Sequence, residues 1–171
     1  MNNYLISQIL VILATFFISV TYIEKQRKKI LILFIFYSIL YGIHYLLLGA
    51  LTGFLMNIVS IIRNIIFYIN EKKNKENKIS FLIILFIIII SFGIFSYKDL
   101  FSIISISASL MSTYSIWQKN IRLYRLIAII VSICFIIYAI HINSLFAIIT
   151  EIILLITELT GIILLVFKKE K

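Results

Sequence analysis

Charged side chains in this chain are gathered into short clusters, and the stretches between the clusters are almost wholly apolar and close to twenty residues long. That spacing constrains the fold more than any other feature, because a helix needs about 20 consecutive apolar residues to cross a hydrocarbon core. Seven such runs can be drawn, at 4–23, 30–48, 51–69, 80–96, 100–117, 123–141 and 145–166. The breaks between them are Glu24–Lys29, Gly49–Ala50, Asn70–Lys78, Tyr97–Asp99, Gln118–Arg122 and His141–Ser144. With 63% hydrophobic and 13% charged residues, the chain has too few polar side chains to cover a water-facing surface; soluble domains are about 45–50% apolar and about 25% charged. The pattern predicts an all-α polytopic membrane protein with seven transmembrane helices in a single membrane domain spanning 1–171. The first run is read as a membrane helix and not as a signal peptide, since Met1–Asn3 carries no basic residue and no small-residue cleavage pattern precedes Glu24.

The basic residues test the count of spans, because a wrong number would scramble them between the two sides. Of sixteen Lys and Arg residues, fourteen fall on one side: Lys25, Arg27, Lys28, Lys29, Lys72, Lys73, Lys75, Lys78, Lys119, Arg122, Arg125, Lys168, Lys169 and Lys171. Lys98 alone falls on the other, and Arg63 lies inside the third run. By the positive-inside rule the N-terminus is expected outside and the C-terminus in the cytoplasm. The formal net charge of +9 then reflects loops that anchor topology and meet anionic lipid head groups. No folded basic face with interleaved aromatics suggests nucleic acid, so membrane lipids are the expected partners and nucleic acid is not.

An internal repeat accompanies the charge pattern. Residues 21–44 lie over 118–141 without gaps, and both copies end alike, in Tyr41-Gly42-Ile43-His44 and Tyr138-Ala139-Ile140-His141. Past that point a three-residue gap aligns Asn57 with Glu151 and Asn64 with Glu158, each pair seven residues apart and so on one helix face. The expected layout is two parallel three-helix repeats, 4–69 and 100–166, joined by a linker helix at 80–96 (3+1+3). The linker run is apolar all round and offers nothing polar to an interior.

Ionisable groups at membrane depth are costly, and their default reading is functional, with a partner to be named. Arg63 and Glu158 lie at comparable depth on the third and seventh helices, so an ion pair can form that either fixes helix register or serves as a cytoplasmic gate; the remaining reading is an Arg63 that snorkels to the cytoplasmic head groups. Glu151, about 9 Å along its helix from the outer end, has no evident basic partner. Facing Asn57 across the pseudo-axis, with Gln8 and Thr15 on the first helix, it suits a cavity that binds a small polar solute. A satisfied packing contact within the bundle is the competing reading of Glu151. The serine stripe Ser102, Ser105, Ser109 and Ser112 points to close helix packing before solute contact. His44 and His141 are expected at the outer interface as head-group or loop contacts.

The chain carries no HExxH, GxSxG or phosphate-binding loop, and its only cysteine is Cys134, so neither catalytic residues, nor a metal site, nor a cofactor is expected. The run from Tyr37-Ser38 through Tyr41-Gly42-Ile43-His44-Tyr45-Leu46-Leu47-Leu48-Gly49, followed by Asn57 and Arg63-Asn64, resembles the "YS…G-H-F-x-L-L-G…N…R" stretch of the YgjV family of bacterial inner-membrane proteins. Ser112-Thr113-Tyr114, His141 and Glu151 are similar to the "S-T-W…I-H…E" order of its second half. The resemblance implies a multi-pass protein of the bacterial inner membrane and carries no substrate. More distantly, the layout is similar to the SWEET and PnuC transporters, although the chain, having no proline, lacks their Pro-Gln motif. The expectation is a transporter or facilitator of a small polar solute, with a site near the bilayer midplane at Asn57, Glu151 and Gln8. The alternative is a non-transporting membrane module, an assembly partner or sensor, whose buried polar residues hold the bundle together; oligomer formation is open in either case.

Overall fold

The computed structural model describes residues 2–21, 24 and 26–167, with side chains as far as 163. All regular structure among these residues is helical: α1 (Asn3–Val20), α2 (Arg27–Leu47), α3 (Leu51–Lys72), α4 (Ile79–Phe95), α5 (Leu100–Trp117), α6 (Ile121–His141) and α7 (Leu145–Phe167). Six of them are long and apolar enough to cross a membrane, and α4, at 17 residues, is the shorter one. At 1.5 Å per residue α4 is about 25 Å long, a little under a typical hydrocarbon core.

Local sequence sets the helix ends. The Asn2 side chain accepts from the Tyr4 amide at the start of α1, and Asn120 accepts from the amides of Arg122 and Leu123 at the start of α6. Asp99 and Ser102 form a capping box on α5, each side chain accepting from the other's backbone amide. α2 stops at Gly49, which takes the left-handed conformation (φ 70°) and lets the Ala50 amide reach back to the Tyr45 carbonyl. α6 ends in the same turn, with Asn143 at φ 54° and the Ser144 amide on the Ala139 carbonyl.

Contacts between helices fix their directions. Thr52 on α3 donates to the Ser96 carbonyl beside α5, and Arg63 further along α3 reaches Thr113 further along α5, so α3 and α5 run parallel. α4 therefore crosses the full height of the bundle between them. Its first end is marked by the Trp117 indole donating to the Asn77 carbonyl. Likewise α1 and α7 run parallel, with Gln8 at Ser144 and Phe146 and Thr15 at Thr150. Going round the bundle, α1 packs on α2, α2 on α3, α3 on α5, α5 on α6, α6 on α7 and α7 on α1. α4 lies outside this ring against α3 and α5, where Gly93 makes room for Ile106.

Polarity runs inside out relative to a soluble protein. Large apolar side chains such as Phe16, Ile94 and Phe95 face outward, while Ser38, Arg63, Asn64, Thr150, Glu151 and Glu158 are buried. Outward apolar faces are what lipid requires, and inward polar groups mark packing or function. α4 follows the expectation for an all-round apolar helix, burying only Leu82, Leu85, Ile89 and Gly93.

Candidate functional site

The six ring helices all contribute to a cavity of about 130 Å³ lined by polar and apolar groups, large enough for several waters or a small solute, and α4 contributes nothing to its wall. α3 supplies Asn57, Ser60, Arg63 and Asn64; α5 supplies Ser109 and Ser112; α7 supplies Glu151 and Glu158. Tyr37, Ser38, Tyr41 and Tyr45 from α2, Ser115 from α5, and Tyr124 and Ser132 from α6 complete the polar lining. In the order around the ring, α3 and α7 stand opposite one another, so Arg63 and Glu151 occupy facing walls. Counted along their helices, Asn57 and Glu151 each lie six residues from the helix start, and Arg63 lies about 9 Å further toward the basic end.

Arg63 is 4% exposed and bonds only neutral groups: Nε donates to Asn64 Oδ1 at 3.1 Å, and Nη1 donates to Thr113 Oγ1 at 3.1 Å and Ser112 Oγ at 3.4 Å. Glu151 is 3% exposed and accepts from the Tyr37 hydroxyl at 3.5 Å. Neither has an oppositely charged partner within 4 Å among the described residues. Two further buried polar atoms on the lining, Tyr41 Oη and Asn64 Nδ2, have no hydrogen-bond partner. Buried polar groups usually find protein or water partners, and these four lie around a single space.

The expected pairing of Arg63 with Glu158 does not form. Both residues line the cavity, but Glu158 takes its ion pair from Arg125 on the adjoining helix α6, at 2.9 Å. Equal depth is not proximity: α3 lies across the cavity from α7, whereas α6 packs directly on it. Gly161, one turn beyond Glu158, has no side chain to exclude the Arg125 guanidinium, which lies against it. Gln8, expected to contact solute, is also elsewhere. Its amide oxygen accepts from the Phe146 amide at 3.1 Å and its nitrogen donates to Ser144 Oγ at 3.4 Å, so it ties α1 to the start of α7. Thr15 does the same one level down, bonding Thr150 at 2.6 Å.

His44 lies in the last turn of α2, at the helix end expected of it, but is not a head-group or loop contact. It is fully buried, with Nδ1 at 3.1 Å from the Ser7 carbonyl, because α1 and α2 close over it. His141 is a loop contact, as expected, bonded to Asp99 at 2.9 Å and stacked on Phe101. The serine stripe divides: Ser102 and Ser105 are buried toward the Lys98 end, while Ser109 and Ser112 reach the cavity.

Above the cavity, toward Lys98, Tyr41, Tyr45 and Tyr138 meet edge to face, with centroids 5.4 and 5.6 Å apart. Gly53 is what lets them close: a Cβ there would sit 2.8 Å from Tyr45 and 3.0 Å from Tyr138. Its amide donates to the Tyr138 hydroxyl at 3.1 Å. Below, a vestibule of about 440 Å³ opens among Glu24, Arg27, Lys119 and Arg125. Cavity and vestibule share Phe34, Ser115, Ile116, Tyr124 and Glu158 as a common wall.

Arg125 was the residue hardest to find from sequence, since it stands beside a basic loop and looked like part of the topological signal. Its place four residues into α6 was the available clue. Tyr37, Tyr41 and Asn64 stand in the stretch that resembles the YgjV family, and Tyr41 and Asn64 also in the internal repeat, but neither signal assigned them to a site.

No curated protein and no solved structure matches the chain. The family model for Imp-YgjV, bacterial inner membrane protein, matches residues 5–169, nearly the whole sequence. With six helices able to span a membrane around a polar interior, the chain belongs to the Imp-YgjV family and is a multi-pass protein of the bacterial inner membrane.

Proposed function

We propose that the protein moves a small polar solute across the inner membrane by alternating access, through a site between two parallel three-helix repeats. The observation that carries this reading is the polar cavity at mid-depth, walled by all six ring helices and lined by Asn57, Arg63 and Glu151. Polar sites at the interface of repeats, near the midplane, are the common arrangement in secondary transporters. Exchanging α1 with α5, α2 with α6 and α3 with α7 leaves the pattern of neighbours in the ring unchanged, and Gly49 and Asn143 end corresponding helices in the same left-handed turn. Both facts support the repeat reading, with α4 as linker. The basic end of the bundle is cytoplasmic in this proposal and the N-terminus outside, following the distribution of Lys and Arg. The aromatic layer is then the outer closure, and Arg125–Glu158, standing where cavity meets vestibule, is the inner gate.

The test requires no knowledge of the solute. In a Cys134→Ser background, Ser109→Cys places a single thiol on the cavity wall of protein reconstituted in vesicles of known orientation. Labelling by a membrane-impermeant maleimide from either side, in separate experiments, is the expected result. Labelling from one side only, whatever the conditions, overturns alternating access and favours the alternative of a non-transporting sensor or assembly module.

A further inference from the structure

The cavity carries a buried guanidinium and a buried carboxyl that do not meet. Arg63 lies on α3 with only amide and hydroxyl partners, and Glu151 lies on the facing helix α7 with only the phenols of Tyr37 and Tyr41 beside it. The third charged residue on the lining, Glu158, is engaged by Arg125, so it neutralises neither. A charge held away from water is costly unless an opposite charge and hydrogen bonds compensate it. A neutral sugar would supply hydrogen bonds but no charge for Arg63, and a simple anion would meet Arg63 while leaving the Glu151 carboxyl unused; a ligand that also carries an ammonium engages both walls, with Glu151 ionised by the ammonium it receives.

We propose that the cavity binds a small zwitterion bearing an ammonium and a carboxylate, whose carboxylate meets Arg63 and whose ammonium meets Glu151. The guanidinium suits a planar carboxylate, and the unpartnered Asn64 Nδ2, next to Arg63 in sequence and on the same cavity lining, is a further donor for it. On the other wall the ammonium has the Glu151 carboxylate as acceptor, with the hydroxyl of Tyr41 beside it on the lining. This assignment deepens the transport reading above by naming the solute class, and it rests on the cavity being a binding site.

The experiment is a thermal-shift series on the detergent-purified full chain. The probes are glycine, β-alanine and γ-aminobutyrate, in which the distance between charges grows by one methylene at a time, with propionate, propylamine and glucose as controls. At least one of the three zwitterions is expected to raise Tm by several degrees at saturation, by mass action, while propionate, propylamine and glucose do not. Arg63→Gln and Glu151→Gln should each weaken that zwitterion about 30-fold or more, as expected for loss of one charge-assisted contact. Glu151→Gln should then respond to propionate nearly as well as to the zwitterion. Should either variant fail to fold, the wild-type series alone decides. Propionate matching the zwitterions, glucose alone stabilising, or no zwitterion acting at all would each overturn the assignment.

The two proposals fail separately. Cysteine labelling from both sides without a zwitterion response leaves transport standing with another solute. A zwitterion response with labelling from one side leaves the site and removes transport.

Discussion

Toward Lys98, three tyrosines and Gly53 pack ring against ring with no charge among them, whereas toward the basic end Arg125 and Glu158 stand between the cavity and a vestibule lined by Arg27, Lys119 and Glu24. Helices α2 and α6 contribute to both ends, so the difference comes from a few side chains. The aromatic closure gains from dense contact and loses when one ring is displaced, because packed interiors have little slack. The ionic closure is held by a pair whose Glu158 side chain is 3% exposed and whose Arg125 side chain is 25% exposed. In the proposed gate, water at the vestibule solvates the arginine when the pair separates, which the aromatic layer does not offer.

The sharpest way to break the contrast is at the ionic end. Arg125→Ala removes the ion pair while leaving Glu158 buried, and a loss of about 3 kcal/mol of stability is expected, at the low end for a buried pair because the arginine is partly solvated. Chemical denaturation in detergent would measure it, and the double change Arg125→Met with Glu158→Leu should recover most of the loss. Next comes Gly53→Ala, which drives a methyl group into Tyr45 and Tyr138. Overpacking of this kind costs about 1–3 kcal/mol, read as a lower Tm, and it should also open the cavity to maleimide from the Lys98 side.

A smaller effect is expected at the rim beside the aromatic layer. Asp99→Ala removes both the α5 cap and the contact with His141, for a loss of about 1 kcal/mol, whereas Asp99→Asn keeps the cap and should lose less. The smallest effect is on pH. Partial burial pushes the Asp99 carboxyl up, but the Ser102 amide and His141 outweigh it and hold the group below its ordinary 3.8. A depressed carboxyl contributes stability that is present above its ordinary value and lost as pH falls through the folded one. The wild type should therefore lose slightly more Tm than Asp99→Asn as the pH is lowered below about 4, and identical profiles would show that Asp99 contributes no pH dependence.

Much of the fold was legible because the bilayer imposes a simple length rule. The seven apolar runs match the seven helices to within three residues, since charged clusters and caps such as Asp99 and Asn120 mark where a helix must stop or start. The site was legible in part. Asn57, Arg63, Glu151 and Glu158 do line one cavity, because a polar group in an apolar helix has nowhere else to turn. Gln8 and Thr15 were equally polar and equally periodic, yet they serve the contact between α1 and α7.

Sequence by itself determined the number of helices, their ends, the depth of each polar residue and the asymmetry of charge between the two ends, because these depend on distance along one helix. Which charges meet was decided by tertiary structure. Depth places Arg63 and Glu158 at one level, but partnership depends on position around the ring, and that position is set by helix packing. α6 lies beside α7, so Arg125 pairs with Glu158; α3 lies across the cavity, so Arg63 and Glu151 are left facing an open space.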